Sequence, residues 1–152
     1  MTTVDFVLKR VPACRVATLS WNGAWSESAI HSHFLQVQRW AEGQGLRTGR
    51  WIFREWWQKR RWQVSVEVKG KVRGDGKIRV QELPSTWVAS VTFDPDQVSP
   101  RVVYHGLSDW TRWRKKEKDL RSVSYVREVY AGDPWKNRKA WSKTEVQFLV
   151  RK

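Results

Sequence analysis

The feature that most constrains this chain is a repeat inside it. Val11-Pro12-Ala13-Cys14-Arg15-Val16-Ala17-Thr18-Leu19-Ser20-Trp21 matches Leu83-Pro84-Ser85-Thr86-Trp87-Val88-Ala89-Ser90-Val91-Thr92-Phe93 without a gap, 72 residues later. Pro, Val and Ala are identical, and most other pairs keep size or polarity. Two further echoes follow in the same order. Phe53-Arg54-Glu55 returns as Val126-Arg127-Glu128 at an offset of 73. Trp62-Gln63-Val64-Ser65-Val66 returns as Thr144-Glu145-Val146-Gln147-Phe148, after a longer loop containing Gly132-Asp133-Pro134. Single matches of this kind arise by chance in strands. Three collinear ones, two of them at nearly one offset, point to duplication, with halves of about 1–76 and 77–152 in one domain.

Local patterns give each half the same order. Val16 to Trp21 reads as a strand closed by Asn22-Gly23. Ser26 or Ser28 suits a helix N-cap, with Glu27 favourable in the first turn. Ile30, Phe34, Val37 and Ala41 then recur at helical spacing, and Gly43 and Gly45 end the helix. Trp51 to Trp57 and Arg61 to Val68 read as two strands joined by Gln58-Lys59-Arg60, with Trp62, Val64, Val66 and Val68 on one face of the second. Gly70 to Gly76 is a basic loop. In the second half a helix is expected from about Arg101 to Asp119, with Val103, Leu107, Trp110 and Trp113 on one side. The expected fold class is α+β, with tandem βαββ units related by a pseudo-twofold. A helix covers one sheet face of each unit, so the pair leaves a central groove where ligands settle.

At 152 residues the chain is long enough to bury a core, and 40% hydrophobic residues exclude wholesale disorder. No stretch of 18 apolar residues exists and the N-terminus has no signal-peptide pattern, so a cytoplasmic protein is expected. The single cysteine, Cys14, reads as a buried thiol. Two values are abnormal: a net charge of +14 and 12 tryptophans. The charge attracts polyanions non-specifically. The tryptophans exceed what one core needs, so some line a cavity or stand exposed.

The halves beginning Val16-Ala17 and Val88-Ala89, the Glu128-Val129-Tyr130 segment before Gly132-Asp133-Pro134, and the closing Thr144-Glu145-Val146 strand resemble GyrI-like small-molecule-binding domains. These include effector-binding domains of multidrug-responsive transcription activators. The resemblance covers nearly the whole chain and rests on the order and spacing of short motifs. It implies a tandem βαββ pair whose groove binds bulky, often cationic aromatic compounds through a buried acid and a cage of aromatics. It places the acid at Glu145 or Glu128. It implies aromatic walls from Trp25, Trp110 and Trp113, and Trp51 is expected to join them, with Trp21, Phe93 and Tyr130 also expected at the site. No helix-turn-helix precedes the domain, so a stand-alone binder is expected. Where the family often has an acidic or polar residue this chain has Gln63, and its strong positive charge departs from the family's usual balance.

Such residues suit such ligands. Indole rings offer large apolar faces with few rotors to freeze, and a cation adds about 0.5 to 2 kcal/mol per good ring contact. A buried carboxylate has a raised pKa, and an arriving cation restores its charge. For Glu145 and Glu128 the plainer alternative is an exposed strand position. For Trp62 and Trp87 it is core packing. Trp135 and Trp141 either cap the groove or lie on the surface. Two other functions remain open. Arg47, Arg50, Arg54, Lys59, Arg60 and Arg61 interleave with Trp51, Trp56, Trp57 and Trp62 like a stacking surface for single-stranded nucleic acid. The resemblance also admits hydrolysis of strained cyclopropyl-containing alkylating compounds, with Glu145 or Glu128 as the acid or base. His31, His33 and His105 form no metal set, and no cofactor motif is present.

Overall fold

Ser26 opens the first helix by accepting a hydrogen bond from the Ala29 amide at 3.3 Å. The helix, α1 (Glu27–Gly43), buries Ile30, Phe34, Val37 and Ala41, the four positions its spacing predicts. Gly45 ends it with φ at +73°, a left-handed conformation that a Cβ would penalise. The structure, a computed structural model, describes residues 4–118 and 121–151. The first half supplies β1 (Val7–Val11), β2 (Cys14–Asn22), β3 (Arg47–Trp56) and β4 (Arg61–Lys69), the last three packed against α1. The second half supplies β5 (Arg79–Leu83), β6 (Thr86–Phe93), α2 (Pro100–Lys118), β7 (Arg121–Tyr130), the short α3 (Arg138–Ser142) and β8 (Thr144–Arg151).

The eight strands make one sheet in the order β1-β6-β8-β7-β3-β4-β2-β5. Every pairing within it is antiparallel. β3 and β7 meet at the centre, with Phe53 opposite Glu128 and Arg54 opposite Arg127. α1 packs Phe34 and Val37 against Ala17, Leu19, Trp51, Phe53, Val64 and Val66. α2 packs Val103 and Leu107 against Ala89, Val91, Phe93 and Val146. Phe6 also lies under α2, and a Cβ at Gly106 would meet its Cζ at 2.9 Å, so a side chain there would require the Phe6 ring to shift. The other sheet face holds a smaller cluster of Val16, Ile52, Leu83 and Val129.

The structure differs from the sequence expectation in three places. The strand read from Trp51 to Trp57 runs from Arg47 to Trp56, and Trp57 begins a single 3-10 turn. Strands β1 and β5 were not expected. Their residues, Val-Leu-Lys-Arg-Val and Arg-Val-Gln-Glu-Leu, show no clean apolar alternation because both lie at sheet edges. Each pairs with the opposite half, β1 with β6 and β5 with β2, so neither half is a closed βαββ unit. Helix α3, inside the loop before β8, is too short for periodicity to reveal. Asn137 caps it, accepting from the Lys139 amide at 3.0 Å.

Candidate functional site

Strand alternation decides what faces the helices. Phe53 and Glu55 on β3, Glu128 and Tyr130 on β7, and Thr144 and Val146 on β8 all point to the side of α1 and α2. There they form the floor of a cavity of about 270 Å³, close to the lower limit for small-molecule sites. Ile30 and Phe34 of α1 and Pro100 and Tyr104 of α2 form its flanks. Phe93, Pro95, Trp25, Glu27, Trp135 and Trp141 complete the wall. Eight of these residues are aromatic, three are glutamates, and none is lysine, arginine or histidine.

Glu128 is the polar centre. Tyr104 donates to its Oε1 at 2.5 Å and Tyr130 donates to its Oε2 at 2.8 Å. Burial pushes the Glu128 carboxyl above its usual range, against the pull of the two tyrosine hydroxyls. Burial and then the facing carboxylate push both phenols well above theirs, so they stay protonated and keep donating. Glu55, only 6% exposed, adds a second carboxyl close enough to act on both tyrosines.

The loop between β7 and β8 closes one side and is fastened by polar contacts. The Trp135 indole stacks on His31 at 4.3 Å and donates to Glu27 at 3.2 Å. Asp133 holds His31 at 3.2 Å. Trp141 donates to Asp96 at 3.1 Å, and Arg138 pairs with the same carboxylate. Of the two positions left open for these tryptophans, cap or surface, the loop brings both rings to the cavity wall.

Of the residues singled out from sequence, Glu128, Trp25, Phe93 and Tyr130 line this cavity. Glu145 does not. It lies one residue out of phase with Thr144 and Val146, so it faces the other side of the sheet. There Lys9 pairs with it at 2.9 Å, and Ser90 and Gln147 donate to it at 2.6 and 2.9 Å. Burial opposes its charge, but these three partners together hold its pKa below the usual range. Trp51 lies behind the cavity wall, stacked on Phe34 at 4.6 Å with its indole donating to Gln38. Trp21 packs against His33. Trp110 packs near Phe6, and Trp113 is 56% exposed. Both come six or more residues after Tyr104, roughly 9 Å or more farther along the helix axis, beyond the cavity. Of the residues in the nucleic-acid reading, Trp51, Trp62 and Arg54 are buried, whereas Arg47, Lys59, Arg60 and Arg61 are exposed.

Sequence reasoning missed Glu55, Tyr104, Phe34 and Phe53. Glu55 was legible as the echo of Glu128, and period two places Phe53 beside it. Tyr104 lies one turn before Leu107 on the same helix side, so helical spacing carries its signal.

No protein-family model and no curated protein sequence matches the chain. Solved structures do. The crystal structure of the EcmrR C-terminal domain superposes with a TM-score of 0.78 at 21% identity, covering 99% of both chains. EcmrR in its cryo-EM DNA complex gives 0.74 at 22% identity, and this chain spans only 58% of its length. SAV2435 bound to tetraphenylphosphonium gives 0.55 at 10% identity, covering 97% of this chain and 94% of the other. A hydrolase from Listeria innocua gives 0.61 at 10% identity, covering 96% and 91%. Among the described residues no helix is long and apolar enough to cross a membrane. An antiparallel eight-stranded sheet with paired helices on one face, superposing on these structures over nearly its whole length, gives this chain the GyrI-like fold.

Proposed function

We propose that the chain is a small-molecule-binding module whose cavity takes bulky hydrophobic cations. Glu128 and Glu55 supply the counter-charge, Tyr104 and Tyr130 orient Glu128, and Trp25, Trp135 and Trp141 cover the ligand's apolar faces. The observation that carries this reading is the composition of the wall. A chain of net charge +14 has arranged, among the described residues, three carboxylates, eight aromatic rings and no basic side chain around one cavity. Anionic ligands would meet three carboxyl groups there, whereas a cation gains both ring-face attraction and a buried counter-ion. SAV2435, a fold neighbour, was solved with a compound of this class, tetraphenylphosphonium.

The reading includes one domain built by duplication, with the cavity on its pseudo-twofold. In support, the strand order is unchanged when each element of the first half is exchanged with its counterpart in the second and the list is reversed. The ladders agree for two of the sequence matches. Trp21 opposite Trp62 maps by those matches onto Phe93 opposite Thr144, which is the pairing found. The third match is displaced by two residues, next to the irregularities in the β3–β4 and β7–β8 ladders.

The test is a pair of compounds of one shape and opposite charge. Tetraphenylphosphonium is expected to quench intrinsic tryptophan fluorescence saturably, and tetraphenylborate to do so far more weakly at equal ionic strength. Equal or tighter binding of tetraphenylborate in competition for the same site would refute the cationic preference.

A further inference from the structure

Across the centre of the sheet, on the face away from the aromatic cavity, one polar residue from each of six strands lies in a single row. Ser20 pairs with Gln63, Gln63 with Arg54, Arg54 with Arg127, Arg127 with Gln147, and Gln147 with Ser90. Residues directly opposite in a ladder share a face, so the row is continuous and reads the same from either end. At its middle two arginines stand side by side. Arg54 is 6% exposed, Arg127 4% and Gln63 5%. Buried charges are normally paired, and like charges opposite each other in a sheet repel.

The carboxylates of this face are committed elsewhere. Glu67 takes two hydrogen bonds from the Arg50 guanidinium, at 2.6 and 3.1 Å, and Glu145 belongs to Lys9, Ser90 and Gln147. Among the described residues neither central arginine has an ion-pair partner. Their polar contacts are with Tyr125, whose hydroxyl takes a bond from Arg127 at 3.3 Å. The Arg54 Nε and Nη2, the Arg127 Nε and the Gln63 Oε1 are buried without a partner. Trp56 and Tyr125 stack at 4.8 Å beside the pair, with Arg54 within 5.8 Å of both ring centres. The exposed Arg61 sits over Trp56 at 5.3 Å and adds a third positive charge at the rim.

We infer that the Arg54–Arg127 pair is the floor of an anion site that takes a phosphate-like oxyanion. Three unpartnered guanidinium nitrogens, carrying four N–H groups and fixed on two adjacent central strands, match the several acceptor lone pairs of one such ion. The anion would supply the charge the row lacks and relieve the repulsion between the arginines. Entry runs past Trp56 and Tyr125, which must part to admit it. The ion is either free phosphate or the head of an organic ester whose body rests on those rings. This site is independent of the cation cavity, from which the sheet separates it.

The test is thermal unfolding with inorganic phosphate against chloride at matched ionic strength, repeated with phenyl phosphate. Phosphate is expected to raise the melting temperature saturably. Arg127→Gln and Arg54→Gln should each weaken this about tenfold or more, as loss of a charge-assisted hydrogen bond predicts. Each variant removes one of two like charges, so both should fold in chloride at least as stably as the parent. Lys71→Gln, in the basic loop, should leave the phosphate effect unchanged. A tighter effect of phenyl phosphate identifies an ester, and equal effects identify the free ion. If phosphate gives no saturable shift, or if all three variants respond as the parent does, the site does not exist and only general screening of the net charge remains.

Discussion

Replacing Glu128 with glutamine removes one charge and little volume. A ligand cation about 4 Å from this carboxylate, at an effective dielectric near 20, gains about 4 kcal/mol from it. Part of that gain is spent ionising a carboxyl whose pKa burial has raised, and part on desolvating the cation. About 1.5 to 3 kcal/mol should survive, so Glu128→Gln should weaken tetraphenylphosphonium by about 10- to 150-fold. Triphenylphosphine oxide, neutral and of similar bulk, should change by roughly twofold or less. Glutamine still accepts from one tyrosine and can donate to the other, so Tyr104 and Tyr130 keep partners and the fold is retained. The assay is quenching of tryptophan emission, with a melting curve for each protein. Equal weakening of the cation and the neutral compound would show that the residue shapes the cavity without acting through its charge.

The charge reading also fixes a pH dependence. Because the folded pKa of Glu128 lies above its unfolded value, its contribution to stability is full below the unfolded value and is lost as pH rises through the folded one. Tetraphenylphosphonium affinity should rise over that same window with release of a proton, measurable by calorimetry in buffers of different ionisation heat. Glu145 has the opposite sign: its stabilisation is present above the unfolded carboxyl pKa and is lost as pH falls through the depressed folded value. Glu145→Gln should therefore lower the urea midpoint at neutral pH and leave tetraphenylphosphonium affinity unchanged. Trp51→Ala should cost about 3 to 5 kcal/mol in urea unfolding, since it empties a fully packed position stacked on Phe34.

Much of the fold was legible because the helical and strand periodicities each marked a core face. Ile30, Phe34, Val37 and Ala41 face the core, and so do Trp62, Val64, Val66 and Val68. The edge strands were not legible, because an edge is half solvated and its pattern is correspondingly mixed. The site was legible in kind but not in every member. Glu128 and Glu145 look alike in sequence, each on a strand, preceded by a polar residue and followed by a valine. Only the phase of each strand against the helices separates them, and phase is a tertiary property. The tryptophans misled for a related reason. Trp51 and Trp110 carry the right ring, but stacking on Phe34 and packing near Phe6 place them outside the cavity wall, while the less conspicuous Tyr104 reaches Glu128.

The same two-residue period explains how so basic a chain keeps a cavity free of basic groups. On β3, Arg54 and Glu55 are neighbours and point to opposite faces, and on β7 Arg127 and Glu128 do the same. The central strands thus sort charge across the sheet, with carboxyls toward the helices and guanidiniums away from them. A one-residue slip of either strand would exchange the two sets, placing an arginine among the aromatic rings and a glutamate beside the remaining arginine. Under the proposed function, register is therefore part of the binding chemistry. Any lesion that shifts β3 against β7 should abolish discrimination between tetraphenylphosphonium and tetraphenylborate before it abolishes the fold. Inserting one residue into the 3-10 turn at Trp57–Lys59 makes a control, because it lies after β3 and leaves the Phe53–Glu128 pairing in place. That insertion should preserve the discrimination, and its loss there would mean the charge sorting is not set by the central register.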